Sequence, residues 1–444
     1  MTRVHRQGRP VAVAAATLAT AALLAAACGP GEPEMVEPTP GLLAFTGAKL
    51  ITGEGDAIDN GTMIVRDGMI EAVGAADAVE IPADAATVDL GGRTVTPGLV
   101  NAHGHVNNVR GLEADPSFYT EEHVAEQLAL YARYGVTTVA SLGGDGPEGV
   151  AVRNREDASL THARIRVAGP VVVADDPEEA VAIVNEIADM GVDFIKIRVD
   201  DNLGNSQKMT PEVYKAVIDA SHARGLKLTS HMYYLEDSKG LLEAGSDFLA
   251  HSIRDAPVDD EMIRLLQETG VCYCPTLMRE VSTYVYEDRP DWFDDPFFLR
   301  DADPTVMAAL QEPERMEGVR NSSSAQTYKA QLPLAMENLK TLHDAGIPIA
   351  MGTDTGPAAR FQGYFEHGEL ELMVESGMTP METILASTSA AADCLDIEGV
   401  GRLAAGNHAD FVVYTADPSV DITNSKTIES VWIAGNEVPG STSN

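Results

Sequence analysis

Through the middle of the chain, apolar residues gather into short unbroken runs, and the stretches between them carry the i, i+3, i+4 apolar spacing of helices. Eight runs stand out, at 95–101, 137–141, 164–167, 194–199, 227–231, 248–251, 271–275 and 349–354. Runs without polar alternation are what strands buried on both faces require, and helical patterns at 177–190, 211–224 and 326–345 separate them. Alternating strands and helices in this number predict an α/β fold, a (β/α)8 TIM barrel over 97–398, whose active site belongs at the C-terminal ends of the strands.

On either side the pattern changes to short strands and tight turns. Residues 62–65 and 69–73 flank Arg66-Asp67-Gly68, a hairpin signal, and strands return at 409–414 and 431–434 with Gly435-Asn436 as a turn. The segments 42–96 and 399–440 are therefore expected to pair into a small β-sandwich beside the barrel. Within the barrel region, 279–326 is too long for an ordinary connection. Its Tyr284, Tyr286, Trp292, Phe293, Phe297 and Phe298 suit either an ordered lid over the mouth or simple packing against the barrel wall.

Composition adds bounds. A length of 444 residues holds one large domain and a smaller one, and a net charge of -37 argues against nucleic acid or an anionic membrane face as partner. A salt-adapted surface accounts for that charge equally well. Arg3, His5, Arg6 and Arg9 precede an alanine and leucine run that ends at Cys28, a targeting pattern too short to read as a spanning helix. Leu24-Ala25-Ala26-Ala27-Cys28 resembles a bacterial lipoprotein cleavage box, although Ala25 stands where leucine is commoner. On that reading 1–28 is a signal peptide and 29–41 a flexible Pro/Glu-rich linker. The mature chain is then exported, touching a membrane only through a lipid at Cys28 and facing periplasm or exterior; the alternative is a secretory signal cut after alanine. Cys272, Cys274 and Cys394 read as small core residues, because neighbours at i and i+2 on a strand are poorly placed for a disulfide and three thiols do not make a framework.

The first run ends in His103-Gly104-His105. On a strand, residues i and i+2 point the same way about 6.6 Å apart, within reach of one metal ion. Four later runs also carry a group that can bind metal, namely Lys196, His231, His251 and Asp354. Taken singly, each has an ordinary explanation: a solvated turn, a surface lysine, a satisfied core histidine. Together, at strand ends, they point to a metal site. His123, His162, His222 and His343 fall in helices or loops and read as surface residues, and His408 lies in the small domain. His367, just after the eighth run, suits either substrate contact or packing at a helix start.

His103, His105, Lys196, His231, His251 and Asp354, in this order and spacing, resemble the binuclear metal-dependent amidohydrolase superfamily, in its imidazolonepropionase-related branch. The resemblance extends over nearly the whole mature chain and is most specific at His-Gly-His, at Gly191-Val192-Asp193-Phe194-Ile195-Lys196-Ile197 and at Gly352-Thr353-Asp354. It implies that Lys196 is carboxylated and bridges two divalent ions, that His103, His105 and Asp354 hold one ion, and that His231 and His251 hold the other. The donor set suits zinc, with manganese, iron, cobalt or nickel open. Asp354 is then the catalytic residue, orienting a metal-activated hydroxide and passing its proton to the leaving group.

That branch implies hydrolysis of a C–N bond in a small molecule such as a dipeptide, an N-acyl amino acid or a cyclic amide. The sequence departs from the commoner pattern at His231-Met232-Tyr233-Tyr234 and at His251-Ser252-Ile253-Arg254, which weakens transfer of specificity. Tyr233 and Arg254 are candidates for substrate contact, against the plainer readings of a buried tyrosine and a rim salt bridge. An esterase or phosphotriesterase could use the same centre, and a non-catalytic binding lipoprotein is a third reading, although every expected ligand is present. A homo-oligomer is compatible with all three.

Overall fold

The computed structural model describes residues 37–55 and 57–441. The signal segment, Cys28 and most of the expected linker lie outside the described residues. Among the described residues, no helix is long and apolar enough to cross a membrane.

Seven barrel strands form as Leu99–Gly104, Val136–Ser141, Arg164–Val167, Phe194–Arg198, Lys227–His231, Phe248–Ala250 and Cys272–Cys274, every neighbouring pair parallel. They make two ladders, the first three strands and the last four. The ladders meet at a bridge between Val172 and Ile197, where the Val172 N–H donates to the Lys196 carbonyl at 2.8 Å. The eighth run, expected as a strand over 349–354, is reduced to a bridge between Ile349 and Tyr273. It still closes the barrel, through Ala102 N–H to Met351 O at 2.8 Å and Thr353 N–H to His103 O at 3.0 Å. A full ladder is blocked because Pro348 has no N–H and Asp354 turns into the left-handed region at φ +57°. Helices Pro177–Asp189, Pro211–Ala223 and Ser323–Asp344 occupy the expected stretches and are capped by Asp176, Thr210 and Ser322.

The first apolar run is two strands. Thr94–Pro97 belongs to the small domain and Leu99–Gly104 to the barrel, divided at Gly98. A Cβ there would stand 2.0 Å from Thr137 Oγ1, so only glycine lets the chain pass so close to the second barrel strand.

The N- and C-terminal segments do pair, but as one mixed eight-stranded sheet where a two-layered sandwich was expected. Its order is Asn436–Glu437, Ile428–Ile433, Phe411–Tyr414, Thr94–Pro97, Leu42–Leu50, Ile58–Arg66 and Met69–Ala75, with Ala86–Asp89 also on Leu42–Leu50. Thr94–Pro97 makes the sheet continuous, pairing with Leu42–Leu50 on one edge and Phe411–Tyr414 on the other. The Asp67-Gly68 hairpin turn is as expected, both residues at positive φ, whereas the last turn falls on Ala434-Gly435 and Asn436 already begins a strand. Phe45 packs edge-on against Phe411 and Trp432 in the core of this sheet. Arg164, at the start of the third barrel strand, forks onto Asp410 at 2.7 and 3.2 Å, both groups fully enclosed, and so ties barrel to sheet.

Two cysteines correct the sequence reading. Cys272, at the start of the seventh strand, is disulfide-bonded to Cys394 at the end of helix Ser389–Cys394, while Cys274 is buried and free. Spacing along one strand rules out a local bridge, but the barrel brings residues 122 apart in sequence to a Cα–Cα distance of 5.7 Å. The 279–326 segment is ordered and helical, and packing explains its aromatics. Tyr286, Phe293, Phe297 and Phe298 are buried, and Trp292 sits against Phe298, Phe361 and Phe365 rather than over an opening.

Candidate metal centre

The six residues singled out at strand ends converge. His103 is enclosed on the first strand, with Nε2 at 3.5 Å from Lys196 Nζ and 3.7 Å from Asp354 Oδ1. His105 Nε2 lies 2.8 Å from the same Asp354 oxygen. The His251 ring stands 4.6 Å from that of His103 and 4.1 Å from that of His231. Ligand atoms of His103, His251 and Asp354 all lie within 4.8 Å of one another. This tightest triple therefore draws on both of the ligand groups that the resemblance assigned to separate ions.

Three of the four imidazoles are held through one ring nitrogen. The His105 Nδ1–H donates to Gly143 O at 2.9 Å, His231 Nε2–H to Asp200 Oδ2 at 2.6 Å, and His251 Nδ1 meets Thr276 Oγ1 at 2.8 Å. A ring held through one nitrogen keeps the other for a cation. Burial keeps the rings neutral: it pushes His103 and His251 well below the ordinary histidine range and His231 down to about 4. Burial also lowers Lys196 to about 8, against the pull of Asp354. Burial would raise Asp354, but Arg360 and His105 outweigh it and hold the carboxyl well below its usual range.

These observations fit a divalent cation. With its Nδ1–H given to Gly143, His105 turns a lone pair toward a carboxylate oxygen at 2.8 Å, a repulsive contact unless a cation or a proton stands there. The enclosed His103 Nδ1 has no hydrogen-bond partner. Neutral imidazoles with a carboxylate are a donor set for zinc and its first-row neighbours.

Around this centre stand groups that the sequence reading missed. Asp200 and Thr276 orient His231 and His251, and Arg360 pairs with Asp354 Oδ2. Arg279 brings its Nε to 3.8 Å from the same oxygen, enclosed and without a hydrogen-bond partner. Behind it, Glu280 accepts from Arg279 Nη1 at 3.0 Å and faces Arg254 Nε at 3.2 Å. Arg254 Nε and Nη2 also lack hydrogen bonds. None of these groups has a local signature, because each is defined by a contact across the barrel.

The three candidates for substrate contact are placed otherwise. Tyr233 is buried with its hydroxyl donated to Gln331 at 2.6 Å, and Arg254 is wholly enclosed over the Tyr233 ring instead of forming a rim salt bridge. His367 is also enclosed and spends both ring nitrogens on Ser425 Oγ and Tyr134 O, each at 2.9 Å, which leaves nothing for a substrate. His123, read as a surface residue, is buried with Nε2–H on Val109 O.

Residues 94–438, most of the chain, match the amidohydrolase family. The chain belongs to that family. This amidohydrolase is accordingly a metal-dependent hydrolase acting on carbon–nitrogen bonds. It is 28% identical over 351 residues to an uncharacterized protein of Mycobacterium tuberculosis, covering 77% of this chain and 84% of the relative. It is 24% identical over 416 residues to the imidazolonepropionase of a Geobacillus species, covering 80% and 84%. Among solved structures, a candidate prolidase from Bifidobacterium longum superposes with a TM-score of 0.73 at 26% identity, over 93% of this chain and 97% of that one. A likeness to a (β/α)8 barrel of this family accords with the seven parallel strands and the closing eighth run described above.

Proposed function

We propose that this amidohydrolase cleaves the C–N bond of a small amide carrying a carboxylate, such as a dipeptide or an N-acyl amino acid. The observation that carries the reading is the pair of guanidiniums beside Asp354. Arg360 is paired to it, and Arg279 offers an enclosed, unspent Nε–H at the same edge. Placed next to a C–N hydrolytic centre, such donors suit the carboxylate of an amino-acid moiety. Relatives point the same way, one an imidazolonepropionase and one a candidate prolidase.

On this reading His103, His105 and Asp354 would hold one zinc ion and His231 and His251 a second, with a carboxylated Lys196 shared between them; the ions would supply, when bound, an acidified water and polarisation of the scissile carbonyl. The low basicity that burial gives Lys196 favours the neutral amine that carboxylation needs. Asp354 would take the proton of the attacking water and return it to the departing amine, and Arg360 keeps it ionised for the first step. On the same reading the mature chain is exported and lipid-anchored at Cys28; the Cys272–Cys394 bridge supports the export, since such bonds persist in oxidising compartments.

The test is to incubate residues 29–444 with zinc and bicarbonate and a library of dipeptides, N-acyl amino acids, their carboxamides, lactams, aryl esters and phosphotriesters, following products by mass spectrometry. Release of free amino acids that a chelator abolishes, at least about tenfold faster for acids than for matched carboxamides, is the expected result. Cleavage confined to esters or phosphotriesters would replace the reading with the esterase one. A metal-loaded protein silent across the library would overturn it.

A further inference from the structure

Beneath Asp354 lies a carboxylate that the proposed chemistry does not use. Glu366, in the first turn of helix Tyr364–Glu375, is fully enclosed. Three donors converge on its Oε1: Asn101 Nδ2 at 2.6 Å, Thr353 Oγ1 at 2.8 Å and Thr355 Oγ1 at 2.6 Å. The two threonines flank Asp354, whose backbone is held at φ +57°, a conformation unfavourable for a non-glycine residue that persists only where its surroundings dictate it. Asn101 belongs to the other side of the site, because its Oδ1 accepts from the His103 N–H at 3.0 Å. The remaining links run the same way. Tyr131 O–H donates to Thr355 Oγ1 at 2.8 Å, His105 N–H to Thr355 O at 2.8 Å, and Asp354 N–H to His103 O at 2.6 Å.

One carboxylate oxygen thus clamps together the strand end that bears the two histidines and the turn that bears the aspartate. An apolar side chain would fill the space without the cost of burying a carboxylate whose second oxygen has no partner. The eighth run also lacks the ladder that fixes the other strands, so its last residues depend on side-chain bonds for their position. We infer that Glu366 is a positioning residue: it holds Asp354 in its strained backbone conformation at a fixed distance from His103 and His105, acting through Thr353, Thr355 and Asn101. The inference rests on the reading of Asp354 as ligand and proton carrier.

The test compares Glu366→Met, which removes every acceptor at nearly constant volume, with Glu366→Gln, which keeps one oxygen for the three donors. Zinc affinity is read by competition with a chromophoric chelator in the absence of substrate, folding by circular dichroism, and kcat and KM separately on the best substrate found. The Met variant should bind zinc about 10–100-fold more weakly and lose a similar factor in kcat with KM nearly unchanged, and the Gln variant should recover most of both. A folded Met variant with wild-type zinc affinity and kcat, altered only in melting temperature, would reduce Glu366 to a packing residue and overturn the inference. Should that variant not fold, Thr355→Val cuts one arm of the clamp and is judged by the same two readouts, wild-type values again counting against. A wild-type protein that binds zinc but cleaves nothing would sink the proposed reaction, and the zinc-affinity comparison would still decide the role of Glu366.

Discussion

The two ends of the barrel are built on opposite principles. At the base, where the strands begin, the interior is filled by apolar groups such as Val100, Phe194 and Phe248, and joined to its neighbours by the Cys272–Cys394 bridge and the Arg164–Asp410 fork. At the mouth, where the strands end, His251, Thr276 and Asp354 close successive runs with φ of +81°, +47° and +57°, and buried charges stand in place of apolar contacts. Left-handed non-glycine residues and enclosed ionisable groups both weaken a fold. At the mouth both accompany the groups that would hold a ligand.

The largest effect that separates the ends is expected at Lys196. Lys196→Ala should lose bound metal and turnover together, seen as metal content by mass spectrometry and rate on the same sample, with the fold intact. Asp354→Asn should keep much of the metal and lose about 10²–10⁴ in turnover. A Lys196→Ala protein that kept both zinc and rate would refute the bridging role. At the base the pattern should invert. Arg164→Met strands the enclosed Asp410 carboxylate and should cost about 3–5 kcal/mol in urea unfolding while leaving the rate per folded molecule unchanged. Cys394→Ser, or reduction of the wild type, should cost about 2–4 kcal/mol, again without change in kcat. A base variant that altered kcat while fully folded would break the division.

The smallest effect is a slope. Glu369, enclosed near the mouth, accepts from the Leu277 and Met278 N–H groups, and burial pushes its carboxyl up to about 8 from an ordinary 4.5. Between those values the folded protein holds a proton that the unfolded chain has released. Stability should therefore fall as pH rises through that window, by at most about 1.4 kcal/mol per pH unit from this group. Glu369→Gln should flatten that part of the profile, measured by urea unfolding between pH 5 and 8.

The same contrast explains what was legible in the sequence. Periodicity located Arg164–Val167 and Lys227–His231 to the residue and the three long helices to within a few, because burial on both faces or on one stripe writes itself into local order. The six metal-binding groups could be read because each lies within or at the end of a short apolar run. Asp200, Thr276, Arg279 and Glu366 could not, since their roles come from contacts between segments that follow different strands. His367 misled for the related reason that a histidine near a strand end looks the same whether it faces the mouth or Tyr134 and Ser425. The disulfide was hidden because only the closed barrel brings its halves together, and the eighth run read as a strand because composition does not reveal that Asp354 bends away.

The bridge between Cys272 and Cys394 also changes the connectivity of the molecule. It makes a covalent ring of the intervening chain, within which lie Arg279, Asp354 and Glu366 as well as helix Pro313–Arg320, none of whose residues is buried. A protease that cut this exposed helix would open the ring without freeing either part, since each cut end stays joined through the bridge. The clipped enzyme would remain one molecule, with its closing run still seated beside the first strand.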